Sequence, residues 1–159
     1  MAAETWTWDD VEGQVKPRTD TVDLCLDGTI QRQLEAARAK VKDARRDDAL
    51  DAPSGGLRAD VERLEQAARD ATRTFEVQAC GHRRWRELLT KHPSDEPGFR
   101  YDAATFIPAA LAECVVQFTS VEQAGNACEK LTTGQVSKLF NTVRQLNEGN
   151  DEVPTGRGS

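Results

Sequence analysis

Hydrophobic and polar positions change period several times along this chain, and each change marks an element. From Thr21 to Asp27 they alternate, with Val22, Leu24 and Leu26 on one side and Asp23, Cys25 and Asp27 on the other. A period of two predicts a half-buried strand. Asp27-Gly28 then makes a turn, with Asp27 or Thr29 as the cap of the following helix. From Thr29 to about Asp48 the apolar residues are Ile30, Leu34, Ala37, Val41 and Ala44, at spacings of 4, 3, 4 and 3. Asp51-Ala52-Pro53-Ser54-Gly55-Gly56 interrupts the run. Leu57, Val61, Leu64, Ala68 and Ala71 then repeat the stripe. Two amphipathic helices with a short connection predict an antiparallel hairpin over 29–71. Its alanine-rich seam permits close approach but buries little apolar area. At ~25 cal/mol per Å2 such a seam stabilises less than a leucine seam, so the hairpin tip is expected to be the least stable part.

Alternation returns at Thr74-Phe75-Glu76-Val77-Gln78-Ala79. The two strands bracket the hairpin and most simply pair with each other. Two strands alone are marginal, so later helices must cover them. The next helix runs from Gly81 to His92 and stops at Pro93, with Trp85, Leu88, Leu89 and His92 at the core-facing spacing. After a polar loop, Asp102 to Val116 carries a broad apolar face of Phe106, Ile107, Ala110, Leu111, Cys114 and Val115. That face reads either as core or as a docking groove. Pro108 lies inside this run; the alternative is a helix starting near Thr105, with Pro108 early and Asp102 capping a short preceding turn. Val121–Leu131 and Thr133–Leu146 predict two more helices. Val136, Leu139, Phe140, Val143 and Leu146 line one side of the latter, and caps belong at Thr119-Ser120 and Thr132-Thr133.

The expected fold is α+β, mostly α. A two-stranded antiparallel ribbon brackets the hairpin, and a C-terminal bundle of about four helices follows over 81–147. One domain is expected over 19–147, between a flexible acidic segment at 1–18 and a flexible tail at 148–159. Trp6 and Trp8 would point to the same side of an extended segment and could dock on the core or on a partner.

Composition narrows the function. The 159 residues suffice for one domain. Charged residues make up 30% and the mean hydropathy is -0.64, so the core is modest and the surface well solvated. A net charge of -6 and a pI of about 5.0 speak against a general binder of nucleic acid or anionic membranes, which needs clustered Lys and Arg. No run approaches the ~20 apolar residues of a membrane span. Met1 to Trp6 lacks the basic start and apolar stretch of a signal peptide. The expectation is a cytoplasmic chain.

Candidate chemistry is sparse. Cys25, Cys80, Cys114 and Cys128 form no CxxC pair and read as reduced, small buried hydrophobes. Cys80, His82 and His92 are a temptation for a metal, but the histidines are ten apart and four ligands at recognisable spacing are missing. A Cys80–His82 nucleophilic pair lacks an orienting third group. His82-Arg83-Arg84-Trp85-Arg86 could stack a base and hold phosphates, yet the helical spacing assigns Trp85 to the core and the arginines to its rim. Ser54-Gly55-Gly56 is not followed by the lysine of a phosphate loop. Asp9-Asp10 and Asp47-Asp48 diverge on polar surface.

The order of these motifs resembles one family. The strand Thr74-Phe75-Glu76-Val77-Gln78-Ala79, then Arg83-Arg84-Trp85 through Leu88 to His92-Pro93, then Asp102 through Thr105-Phe106, Pro108-Ala109 and Leu111 to Val115-Val116 is similar to small tail assembly chaperones of long-tailed, siphovirus-type actinobacteriophages. The likeness reaches upstream to Thr21-Val22-Asp23-Leu24-Cys25-Leu26-Asp27-Gly28 and downstream to Leu146-Asn147 and Val153-Pro154. The resemblance implies a non-catalytic protein of viral morphogenesis. It would coat the tape-measure protein, keep it soluble and help bring the major tail (tube) protein to it. It would act in the bacterial host cytoplasm, be absent from the mature virion, and need no cofactor, metal, nucleic acid or membrane; self-association is compatible with this. No family motif assigns contact residues. From apolar surface alone the candidates are Trp85, Leu88, Phe106, Ile107 and Leu111, with Trp6 and Trp8 as anchors. Two other readings stay open. One is a virion subunit (a head–tail connector or tail-completion protein) using the edge of the strand ribbon. The other is a nucleic-acid-binding regulator using Arg83–Arg86.

Overall fold

The ribbon and the helices both form as the periodicities require. The computed structural model describes residues 5–47 and 55–149. Residues 51–54 of the expected break at 51–56, Asp48 at the expected end of the first helix, and the tail from Asn150 onward lie outside them; Gly55 and Gly56 of that break are already helical. Among the described residues the order is α1 (Trp8–Val11), a 3-10 turn (Glu12–Gln14), β1 (Thr19–Cys25), α2 (Gly28–Asp47), α3 (Gly55–Asp70), β2 (Thr72–Gln78), α4 (His82–Lys91), α5 (Ala103–Cys114), α6 (Val121–Lys130) and α7 (Thr133–Glu148). β1 and β2 make a two-stranded antiparallel sheet, so the fold is α+β and mostly α. The chain divides into two compact units, Asp23–Phe75 and Met1–Val22 with Glu76–Ser159. The sequence had suggested one unit over 19–147; the division falls within both strands.

In the first unit the hairpin is held by a narrow seam. Asp27 is the cap of α2: its Oδ1 accepts from the backbone N–H of Thr29 at 3.0 Å and of Ile30 at 3.2 Å. Two helix-terminal donors are thereby satisfied. Leu34 and Leu64 are buried, whereas Ile30, Ala37, Val41, Ala44, Leu57, Val61 and Ala68 keep partial exposure. Alanine is too short to seal the gap between two helices unaided. Arg38 and Glu65 clasp the seam from outside at 3.2 Å; a pair this exposed contributes well under ~1 kcal/mol. At the base, Leu26 N–H donates to the Ala71 carbonyl at 3.0 Å and the Thr74 hydroxyl to Asp23 Oδ1 at 2.6 Å, which sets the strand register there.

In the second unit α5 is the axis. Phe106, Ala110 and Leu111 are wholly buried, and α5 packs against α4, α6 and α7. Asp102 caps α5 itself by accepting from Ala104 N–H at 3.2 Å. The helix therefore starts at Ala103, not near Thr105, and Pro108 sits in its interior. Proline there removes one helical donor, the one that would reach the Ala104 carbonyl. Ala104 is exposed, so the loss falls on a solvent-facing side of the helix, while the burial of Phe106, Ala109, Ala110 and Leu111 carries the helix past the proline. α6 presents Ala124, also fully buried, and begins at Ser120, whose Oγ accepts from Gln123 N–H at 3.1 Å. Thr132 and Gln135 cap α7 reciprocally at 3.2 and 3.1 Å, a capping box of the S/T-x-x-E/Q kind. Val77 bridges to Val115, and Val116 N–H donates to the Glu76 carbonyl at 2.9 Å. The Gln117 carboxamide receives Glu76 N–H at 2.9 Å, so this edge of β2 is closed by the chain leaving α5.

The expected flexible segment 1–18 contains α1 and the 3-10 turn. Asp10 Oδ2 accepts from Thr7 N–H at 2.8 Å and from the Thr7 hydroxyl at 3.1 Å, and this local cap supplies the order that composition hid. Two substitutions grade the interactions in the second unit. Phe106→Ala should cost about 3–5 kcal/mol in urea unfolding, and Thr132→Ala about 1 kcal/mol. Equal losses would show that α5 is not the centre of the core.

Candidate partner-binding surface

Trp85, His92, Tyr101 and Phe140 of the second unit gather around one ring, that of Phe106. Phe106 meets Trp85 edge-on at 5.3 Å, Tyr101 at 4.4 Å, His92 at 6.2 Å and Phe140 at 5.9 Å between centroids. The polar edge of the cluster is satisfied as well. Trp85 Nε1 donates to Glu148 Oε1 at 2.9 Å, and Arg100 reaches the same oxygen at 3.3 Å.

This cluster corrects the expected contact set. Trp85 and Leu88 are each 4% exposed, and Phe106 and Leu111 not at all. Ile107 keeps only partial exposure. Of the two readings left open for the α5 face, core is the one the fold adopts: α4, α6 and α7 all pack on α5, and Phe106, Ala109, Ala110, Leu111 and Cys114 are buried between them. These side chains hold the protein together and are closed to a partner docking on the folded chain.

Trp6 and Trp8 behave differently, with exposures of 65% and 58%. The extended geometry that would align them ends at Thr7, because Trp8 is the first residue of α1. Val15, at 62%, follows directly after the 3-10 turn. Three large apolar side chains thus stand in water within one short stretch of the second unit. Large apolar side chains exposed close together in sequence are candidates for an interaction surface, and tryptophan is among the residues enriched at the energetic anchors of interfaces. Sequence reasoning missed Phe99, which is 65% exposed. It follows Glu96-Pro97-Gly98, where Gly98 has φ +91° and Phe99 N–H reaches back to the Glu96 carbonyl at 3.4 Å. Proline then glycine at the centre of a turn is the pattern of a type II turn, which was legible and lifts Phe99 off the core.

The basic patch is largely neutralised. Arg84 makes a forked contact with Glu113, at 2.9 and 3.1 Å, and also meets Glu87 at 3.3 Å. These carboxylates, Glu113 foremost, hold its guanidinium still more firmly in the charged form. Arg83 pairs with Glu87 at 3.4 Å. His82, Arg83, Arg86, Glu87, Thr90 and Lys91 line a shallow open depression on the outer side of α4.

All four cysteines are free of disulfides, Cys114 buried and the other three partly so. Among the described residues, no three His, Cys, Asp or Glu side chains converge as a metal site would require, and no helix is long and apolar enough to cross a membrane. Sequence reasoning did not foresee that Cys80 and Cys114 both contact Asn147, which lies 67 residues from the first and 33 from the second.

The division between buried and exposed tryptophan is directly measurable. Trp85→Phe removes the donor to Glu148 and should cost about 1 kcal/mol. The fluorescence that remains, from Trp6 and Trp8, should be fully quenched by acrylamide, whereas the parent chain keeps a protected fraction. A protected fraction in the variant would mean that the N-terminal tryptophans are not in water. Comparison with protein-family models, curated proteins and solved structures finds no match.

Proposed function

We propose that this chain is a non-catalytic tail assembly chaperone of a siphovirus-type phage. In this reading it binds the tape-measure protein in the host cytoplasm, assists recruitment of the major tail (tube) protein, and leaves before the virion is complete. The observation that carries the binding role is the contrast within the second unit: an aromatic core sealed around Phe106, and Trp6, Trp8 and Val15 left in water. Support for the particular partner comes from the ordered motifs between Thr21 and Val116. Apolar stripes on a long helix aggregate unless covered, and tryptophans are suited to cover them, because a large rigid ring buries area at little conformational cost.

The contact surface in this proposal is the N-terminal arm, with Ile107 of the earlier candidate set contributing at most from its partly exposed side. The interior residues Trp85, Leu88, Phe106 and Leu111 act indirectly, by keeping the unit folded. The ribbon speaks against the connector reading on one point. Thr21 N–H is occupied by the Asp20 carboxylate at 2.8 Å, and an acidic side chain folded onto a strand edge is a common device against edge pairing.

Co-expression with a fragment of the cognate tape-measure protein tests the proposal. The parent chain should copurify with the fragment and keep it soluble. Trp6→Ala with Trp8→Ala should weaken retention by roughly tenfold or more, as loss of anchor residues does, with unchanged thermal unfolding. Retention unaffected by the double substitution would move the contact elsewhere. Failure of the parent chain to retain the fragment would remove the chaperone reading, and stoichiometric presence in purified virions would favour the connector.

A further inference from the structure

Asn147, in the last turn of α7, holds two cysteines from distant parts of the chain. Its Oδ1 accepts from Cys80 N–H at 3.0 Å and lies 3.4 Å from Cys80 Sγ. Its Nδ2 donates to the Val143 carbonyl at 2.8 Å and lies 3.5 Å from Cys114 Sγ. The carboxamide is thus anchored at both ends, with one sulfur against each. The two thiols thus sit at opposite ends of one carboxamide, close enough for each to bear on the other's ionisation. Cys80 follows β2, and Cys114 closes α5 beside the Val77–Val115 bridge. Both line the same open cleft, with Pro17, Ala112 and Phe118 around them.

We infer that Cys80 and Cys114 form an oxidisable dithiol site, in which a peroxide entering the cleft converts the pair to an intramolecular disulfide. The inference is independent of the chaperone proposal. Exposure assigns the roles. Cys80 is partly open and meets the oxidant, while Cys114, 1% exposed, is the resolving thiol. The Cys80 thiolate attacks one peroxide oxygen, the O–O bond breaks, and Cys80 becomes a sulfenic acid; the departing hydroxide takes up the proton the thiol had released and leaves as water. Cys114 sulfur then attacks Cys80 sulfur, the S–O bond breaks, and the departing hydroxide takes the Cys114 proton as a second water. Two thiols lose two electrons and two protons, and one hydrogen peroxide becomes two waters.

Burial sets the rate. It pushes the Cys80 thiol above its usual range and, together with the neighbouring Cys80 sulfur, pushes Cys114 up to about 12. Thiolate is the reactive form, so oxidation is slow near neutral pH and accelerates as pH rises. Once formed, the bond closes the segment from Cys80 to Cys114, which contains α4 and the turn at Gly98, and restricts the unfolded chain.

The test is hydrogen peroxide on the folded, fully reduced protein, followed by alkylation and peptide mass mapping. The expected product has lost two hydrogens, carries Cys80 and Cys114 in one cross-linked peptide, and leaves Cys25 and Cys128 open to alkylation. Its formation should be at least several-fold faster at pH about 9 than at about 7, and its melting temperature should rise by several degrees and fall back with a thiol reductant. Cys80→Ser and Cys114→Ser should each abolish the cross-link; the mapping of the parent chain stands even if a variant fails to fold. Cys80 halting as a sulfinic acid, a bond from Cys80 to Cys25 or Cys128, or a dimer through Cys80 would each overturn the inference.

Discussion

Burial of Phe106 is the constraint on which the second unit depends. Its ring is the one place where α4, α5, α7 and the turn before α5 meet, through Trp85, His92, Tyr101 and Phe140. Edge-on and tilted contacts of this kind add to the transfer free energy of the rings themselves. The cluster also explains why α5 tolerates Pro108: one missing backbone hydrogen bond on a solvated side is small beside a face of five buried residues. The peripheral polar contacts serve the same centre. Glu148 fixes the indole of Trp85 from α7, and Asp102 N–H is held by the His92 carbonyl at 2.9 Å, which ties the end of α4 to the start of α5.

A core that consumes its aromatic residues leaves the surface to be made by others. The candidate interface consequently falls on an acidic, Trp-bearing arm that a count of apolar positions in the C-terminal half would not select. The hairpin unit shows the opposite economy. Its seam buries two leucines and leaves seven neighbouring positions partly in water, so its helices are held by a thin apolar contact and local capping. Low apolar burial of this kind is the usual mark of elements that open first.

Caps, periods and turns were legible because they are local. Asp27, Asp102, Ser120 and Thr132 each satisfy donors within three residues, so the residue types alone announce the helix starts. The ribbon was legible from alternation in Thr21–Asp27 and Thr74–Ala79, with its ends displaced by a residue or two. Less legible were the start of α5, where Pro108 argued for a later beginning, and the order around Trp8, where the Thr7–Asp10 cap was overlooked. The candidate site was legible only as a set of apolar residues; which of them faced water was not. The helical spacing around Trp85 did assign it to the core, where it is sealed, but no comparable period surrounds Trp8, which stands in solvent.

The sequence by itself determined the element types, their order and most of their boundaries, because hydrogen bonds between near neighbours and the periodicity of apolar side chains depend on no distant residue. Only the tertiary structure decided that Phe106 and Leu111 are interior, that Trp6, Trp8 and Phe99 are not, and that Cys80 and Cys114 share Asn147. Those outcomes depend on which helix faces meet across many intervening residues. Apolar burial has magnitude but no direction of its own, so a side chain's place is set by the packing of the elements around it.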